Sequence, residues 1–190
     1  MVTDIRDVEI SHIARYMFAV PFIKKGDKVL DACCGVGYGV KIMRDFTHAS
    51  LVFGFDRSQE AVDIGRFHFS SNLDLFSIEE VQLEPKSCDV ITCFECVEHV
   101  DDPQLLIKKL SEALKPEGTL IISTPNQTIM PWSAERFPEH KQHFTYRDME
   151  TILSTNSLRI DQIYNQQSKF ISCINRGQLG RFMILVVKKI

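Results

Sequence analysis

The chain is 190 residues long, 44% hydrophobic and 25% charged, a length that suits one domain and a balance that excludes a disordered chain. Its 22 Lys and Arg against 25 Asp and Glu leave a formal net charge of −3, so no overall field draws it to a phosphate backbone or an anionic lipid surface. The longest apolar run, Phe182 to Val187, is far short of the roughly 20 residues that span a bilayer. Acids rather than a basic-then-apolar leader stand near the amino terminus, so the expectation is a soluble, cytoplasmic protein with no membrane span. The cysteines Cys33, Cys34, Cys88, Cys93, Cys96 and Cys173 are scattered through apolar stretches, which predicts packed free thiols in a reducing compartment rather than a disulfide framework.

No internal period, low-complexity tract or linker divides the sequence, so residues 1–190 read as a single domain of alternating strands and helices. A helix from about Val8 to Val20 comes first, followed by a short strand at Lys28 to Asp31, a glycine-rich turn at Cys34 to Gly39 and a helix through Met43. A strand at Leu51 to Asp56 leads to a helix opening near Ser58. A weak strand follows near Leu73 to Phe76, then a clear one at Asp89 to Phe94. Asp101-Asp102-Pro103 announces a helix over Pro103 to Leu114, because it supplies a cap, negative charge at the helix start and a proline tolerated in the first turn. Lys115-Pro116-Glu117-Gly118 ends it with a basic residue and breakers. A strand at Thr119 to Ser123, a long polar and aromatic loop from Thr124 to His143, a helix at Tyr146 to Thr155 and strands near Leu158 to Tyr164 and Arg181 to Lys188 complete the chain. Strands alternating with helices of this size pair in parallel through right-handed crossovers with helices on both faces, which makes an α/β, doubly wound sheet. Ligands of such sheets bind beyond the carboxyl ends of the strands where strand order reverses.

Two strand ends carry the chemistry. Val29-Leu30-Asp31-Ala32-Cys33-Cys34-Gly35-Val36-Gly37-Tyr38-Gly39 is a strand running into a turn with glycines at alternate positions, where a backbone can take positive φ or let a ligand approach. A plain strand-to-helix turn satisfies the same glycines. A dinucleotide site would show G-x-G-x-x-G and would avoid an acid at the strand end, whereas Asp31 beside an open turn suits a cation such as an α-amino group. Asp56 ends the second strand, and an acid about 20 residues past such a turn is placed to accept hydrogen bonds from ribose hydroxyls; its other reading, a helix cap, is already served by Ser58.

On these residues the chain resembles the class I S-adenosylmethionine (SAM)-dependent methyltransferases, especially the small enzymes that include ubiquinone-biosynthesis O-methyltransferases and enzymes of sugar and polysaccharide modification. Ser11 to Ala19 resembles the helix that closes over the cofactor. Asp31 to Gly39 resembles the turn around its methionine part, and Asp56 the ribose acid. Phe94-Glu95-Cys96-Val97-Glu98-His99-Val100 is similar to F-E-V-x-E-H-V, Leu114 to Leu120 to L-K-P-G-G-x-L, and Thr124-Pro125-Asn126 to T-P-N. The resemblance implies a Rossmann-like sheet of seven strands, mostly parallel with the last antiparallel, and a lid within residues 1–25. It also implies cofactor contacts from Arg15, Asp31, Cys33, Gly35, Gly37, Asp56, Arg57, Ser77, Ile78, Cys93 and Phe94. Two departures stand out. Ser77 occupies the place where relatives carry an acid that meets the adenine amino group, with Asp74 and Glu79 out of register, and Glu117 replaces a usual glycine.

His99, at the mouth of the fourth strand, and His140, in Pro138-Glu139-His140-Lys141-Gln142-His143-Phe144-Thr145, are the candidate catalytic bases, since imidazole can take a proton from a hydroxyl near neutral pH; either can equally pin a loop by hydrogen bonding. Cys93-x-x-Cys96 followed by His99 is half a zinc ligand set without the second knuckle, so no metal is expected. The acceptor implied is a small molecule or sugar, methylated at oxygen, with the loop at residues 124–143 forming its pocket. No basic stripe with interleaved aromatics argues for nucleic acid. A monomer or a homodimer fits the sequence equally. Two other readings stay open, an NAD-dependent oxidoreductase and a non-catalytic SAM-binding partner subunit.

Overall fold

A computed structural model of the protein describes residues 1–75, 77, 80–168 and 173–190. Eight strands form one sheet: β1 (Lys28–Ala32), β2 (Leu51–Asp56), β3 (Leu73–Leu75), β4 (Cys88–Phe94), β5 (Leu114–Pro125), β6 (Leu158–Gln166), β7 (Ile174–Arg176) and β8 (Phe182–Lys189). They lie in the order β3-β2-β1-β4-β5-β8-β6-β7. β3 through β5 pair in parallel, and β8 runs antiparallel to both β5 and β6. The expected antiparallel last strand is therefore present. The eighth strand is the three-residue β7, paired antiparallel to β6, too short to leave an alternation in the sequence.

The helices are α1 (Ile10–Ala19), α2 (Tyr38–Phe46), α3 (Gln59–His68), α4 (Pro103–Ala113) and α5 (Tyr146–Ser154). Their ends follow the cap chemistry of the sequence. The Ser58 side chain accepts from Ala61 N–H, that of Asp102 from Leu105 N–H with Pro103 in the first turn, and Thr145 and Asp148 form a reciprocal capping box. β5 begins earlier than expected. Leu114 pairs with Cys88 and the ladder resumes at Val90↔Thr119 after a register shift, so Lys115 to Gly118 are strand residues inside an irregularity rather than a separate turn.

Alternating strand residues face two cores. Val29, Val90 and Ile121 pack with Tyr16, Ala19, Val40, Met43 and Val62 from α1, α2 and α3. Leu30, Ile91, Leu120 and Ile122 pack with Leu106, Ile107, Leu110, Met149 and Leu153 from α4 and α5. Both faces of the central strands are thus covered, as a doubly wound sheet requires. Strand order reverses between β1 and β4, which places the ligand crevice beyond their carboxyl ends. Among the described residues no helix is long and apolar enough to cross a membrane.

Candidate active site

The turn after β1 opens toward that crevice. Cys33, Gly35 and Gly37 have φ of 56°, 55° and 74°. A Cβ built on Gly35 meets nothing within 4 Å, while one on Gly37 would lie 2.7 Å from Leu73 Cδ1. Gly37 is thus required by packing and by its left-handed backbone at the start of α2, and the Gly35 side of the turn is left clear for a ligand. Asp56, at the end of β2, accepts from Gly35 N–H at 2.8 Å and Ser58 N–H at 3.0 Å, so the candidate ribose acid is held against the turn. Arg57 beside it is exposed and Ser77, beyond β3, is half-buried. Ile78 lies outside the described residues.

Asp31 is fully buried. Its two oxygens accept from Thr92 Oγ1 at 2.7 Å and Tyr16 Oη at 3.0 Å, and burial raises its pKa to about 7 in spite of those two donors, which lower it. The carboxylate expected to meet an ammonium directly therefore faces the crevice through the Tyr16 phenol. The Tyr16 ring also packs edge-on against Phe94, centroids 5.0 Å apart. Cys93, also expected at the cofactor, is completely buried within β4, and burial raises its thiol. Arg15, from α1, is 1% exposed. Its Nε donates to Gln166 Oε1 at 3.0 Å, its Nη1 stands 3.8 Å from Glu95 Oε1 and its guanidinium lies over Phe182. Arg15 Nη2 has no hydrogen-bond partner among the described residues. A buried cation with an unused donor is suited to a carboxylate.

The second half of the site joins the β4 end to the loop after β5. The loop returns to pair Asn126 with Phe144 and is anchored by Lys141 N–H donating to Glu98 C=O at 2.8 Å. His143 Nδ1 lies 2.6 Å from Met130 C=O, and His143 Nε2 lies 2.7 Å from His140 Nδ1. A carbonyl only accepts, so neutral His143 carries its hydrogen on Nδ1 and its Nε2 must accept from His140 Nδ1–H. His99 Nδ1 likewise donates to Glu139 C=O at 2.8 Å. In the neutral form of either ring this network leaves Nε2 bare. The two rings are in edge contact, 4.6 Å between centroids. Burial, then the charges of His99 and His143, lower the His140 pKa to about 4, so at neutral pH it is an uncharged acceptor.

Glu98 stands beneath this pair, fully buried, with Oε2 accepting from Thr124 Oγ1 at 3.0 Å and Oε1 without a partner among the described residues. Burial, then the charge of Glu95, push its carboxyl well above the usual range. One ligand atom each from Glu98, His99 and His140 lie within 4.8 Å of one another, a set that can move a proton or take up a cation. The sequence reading expected no metal and did not anticipate this convergence. It named His99 and His140, and Tyr16 beside Arg15 in the expected lid helix, and passed over Glu98, His143 and Thr92. The signal for Glu98 was its place next to His99 in Phe94 to Val100; the others are recognisable only once the sheet is assembled.

The cysteine reading is corrected. Cys34, Cys88 and Cys93 are buried free thiols, as expected, but Cys173 is an exposed one, and Cys33 is disulfide-bonded to Cys96 across 63 residues, with Cα atoms 6.0 Å apart. Adjacent strand ends bring the two together, a consequence of β1 lying beside β4. The bond also removes Cys96 from any set with Cys93 and His99.

The sequence matches the family described as a methyltransferase domain over residues 5–163. It is 33% identical over 113 residues to the ubiquinone biosynthesis O-methyltransferase of Idiomarina loihiensis, covering 56% of this chain and 46% of that protein. To the enzyme of the same name from Coxiella burnetii it is 35% identical over 110 residues, covering 55% and 46%. The chain matches about half the length of these curated relatives. In fold it is similar to a SAM-dependent methyltransferase of Thermotoga maritima described as a possible histamine N-methyltransferase, with a TM-score of 0.77 at 15% identity over 95% of this chain and 90% of that one. With the strand order, the open glycine turn and the 159-residue family match in agreement, the chain belongs to the class I SAM-dependent methyltransferase family.

Proposed function

We propose that the protein transfers a methyl group from SAM to an oxygen of a small-molecule or sugar acceptor. The observation that carries this reading is the pair of bare imidazole nitrogens on His99 and His140, fixed by hydrogen bonds to Glu139 C=O and through His143 to Met130 C=O. They stand at the same sheet edge as the open glycine turn. SAM, when bound, supplies an electrophilic methyl on a sulfonium. Arg15, with its unused Nη2, would take the methionine carboxylate, Asp56 the ribose hydroxyls, and the Tyr16 phenol, polarised by Asp31, would face the ammonium. Arg57, Ser77 and the Cys33 to Gly37 backbone would complete the cofactor's surroundings.

On the acceptor side the His140 nitrogen is a weak base, because burial has lowered its pKa to about 4. His99 would therefore take the hydroxyl proton, while His140 orients the hydroxyl. The residues from Asn126 to His143 would form the acceptor wall, their position set by Trp132 Nε1 donating to His140 C=O at 3.0 Å. Most of the rate enhancement then comes from alignment, with the base contributing about 10²- to 10⁴-fold.

Turnover of a panel of phenols, catechols and sugars tests this reading. His99→Ala should cut kcat by about 10²-fold or more with SAM affinity unchanged, and Arg15→Gln should weaken SAM by about tenfold through a lost charged hydrogen bond. SAM binding with no turnover of any acceptor would favour the non-catalytic subunit instead, and His99→Ala with normal kcat would remove the proposed base.

A further inference from the structure

We propose that Cys33 and Cys96 form a reversible redox site whose disulfide pins together the two lips of the cofactor crevice and whose reduction by a low-molecular-weight thiol releases them. The proposal rests on the cofactor assignment made above. Cys33 belongs to the turn after β1 and Cys96 to the segment after β4, and strand order reverses between these two strands. The bond therefore straddles the crevice instead of lying to one side of it. It ties the open glycine turn to the five residues that carry Glu95, Glu98 and His99, whose own fold is closed by His99 N–H donating to Cys96 C=O at 2.9 Å. Cys33 and Glu95, at the two ends being joined, are both non-glycine residues in the left-handed region, with φ of 56° and 50°, and residues so held persist only where the surroundings enforce them.

The neighbouring cysteines cannot replace either partner. Cys34 points away toward β2, where a Cβ on Gly54 would come within 2.8 Å of its sulfur, and Cys93 is wholly buried in β4. Access is one-sided: Cys33 is half-buried while Cys96 is 3% exposed. A thiolate such as that of glutathione would attack the Cys33 sulfur, expelling the Cys96 thiolate, which takes a proton, and leaving a mixed disulfide on Cys33. A second thiol cleaves that mixed disulfide, giving two protein thiols and one oxidised glutathione. Oxidation is the reverse, with glutathione disulfide as the two-electron acceptor.

The test uses the full chain equilibrated with glutathione disulfide or with reduced glutathione, the Cys33–Cys96 bond verified by peptide mass mapping, and titrated with S-adenosylhomocysteine (SAH). The reduced protein should bind about tenfold tighter or more, and by reciprocity saturating SAH should shift the glutathione ratio at half-oxidation in the oxidising direction by the same factor. Cys96→Ala should bind like the reduced wild type under both conditions. Equal affinity in the two verified states, tighter binding by the oxidised state, or failure of glutathione disulfide to form the bond would overturn the proposal. Absence of SAH binding in both states would instead overturn the cofactor assignment on which it rests. Should Cys96→Ala not fold, the two wild-type states decide alone.

Discussion

Replacing Asp31 by Asn isolates the cost of a buried carboxylate. Asp31 has no exposed surface, and burial lifts its pKa from 3.8 to about 7. Below about pH 4 the folded and unfolded chains both hold the proton, so the group costs nothing. Between about pH 4 and about 7 the unfolded chain releases it and the folded chain does not, so stability falls as pH rises; above about 7 the penalty is constant. A shift of roughly three units at about 1.4 kcal/mol per unit amounts to about 4 kcal/mol. Asn cannot ionise and escapes this. It has one acceptor oxygen where Asp31 offers two, so one of the Thr92 and Tyr16 hydroxyls must turn to accept, at a pH-independent cost of about 1 kcal/mol. Urea unfolding followed by circular dichroism should show the stability of Asp31→Asn relative to wild type improving by about 4 kcal/mol between about pH 4 and about pH 8. A difference that stays flat with pH, or moves the other way, would refute the burial argument and with it the account of how Tyr16 screens this acid.

Gly39→Ala drives a Cβ into the Tyr16 ring, which Asp31 and Phe94 hold in place; thermal unfolding should show a loss of about 1–3 kcal/mol, and a neutral effect would mean that α1 moves freely. Thr145→Ala removes half of the capping box of α5 and should cost about 1 kcal/mol by urea midpoint, whereas Thr145→Ser should cost much less. His140, with its pKa lowered to about 4 from 6.5, contributes stability that is lost as pH falls through that interval. Trp132 emission, tied to the His140 carbonyl by a hydrogen bond, should therefore change as pH falls through about 4 and not above about pH 7.

Most of the architecture was legible because it is written locally. Apolar runs such as Leu51 to Asp56 became strands at those same bounds, and Ser58, Asp102 and Thr145 cap the helices they precede. What escaped depends on partners far away in sequence. β7 exists only because β6 offers an edge, and β5 extends back to Leu114 only because Cys88 is there to pair with it. The same holds at the site. Asp31 reads as a free acid until Tyr16, 15 residues earlier, and Thr92, 61 later, cover it. His140 reads as an ordinary imidazole until His143 and Met130 C=O fix its tautomer. Cys33 and Cys96 read as packing until strand order sets their turns side by side.

The central claim is that the β1 turn and Asp56 hold SAM. Isothermal titration of the reduced chain with SAH, alongside NAD as the competing ligand of this sheet architecture, tests it most directly. The account predicts one SAH per chain, no heat with NAD, and an affinity about tenfold or more weaker in Asp56→Ala, with circular dichroism showing that the variant is folded. Binding of NAD without SAH, or undiminished SAH binding by Asp56→Ala, would contradict it.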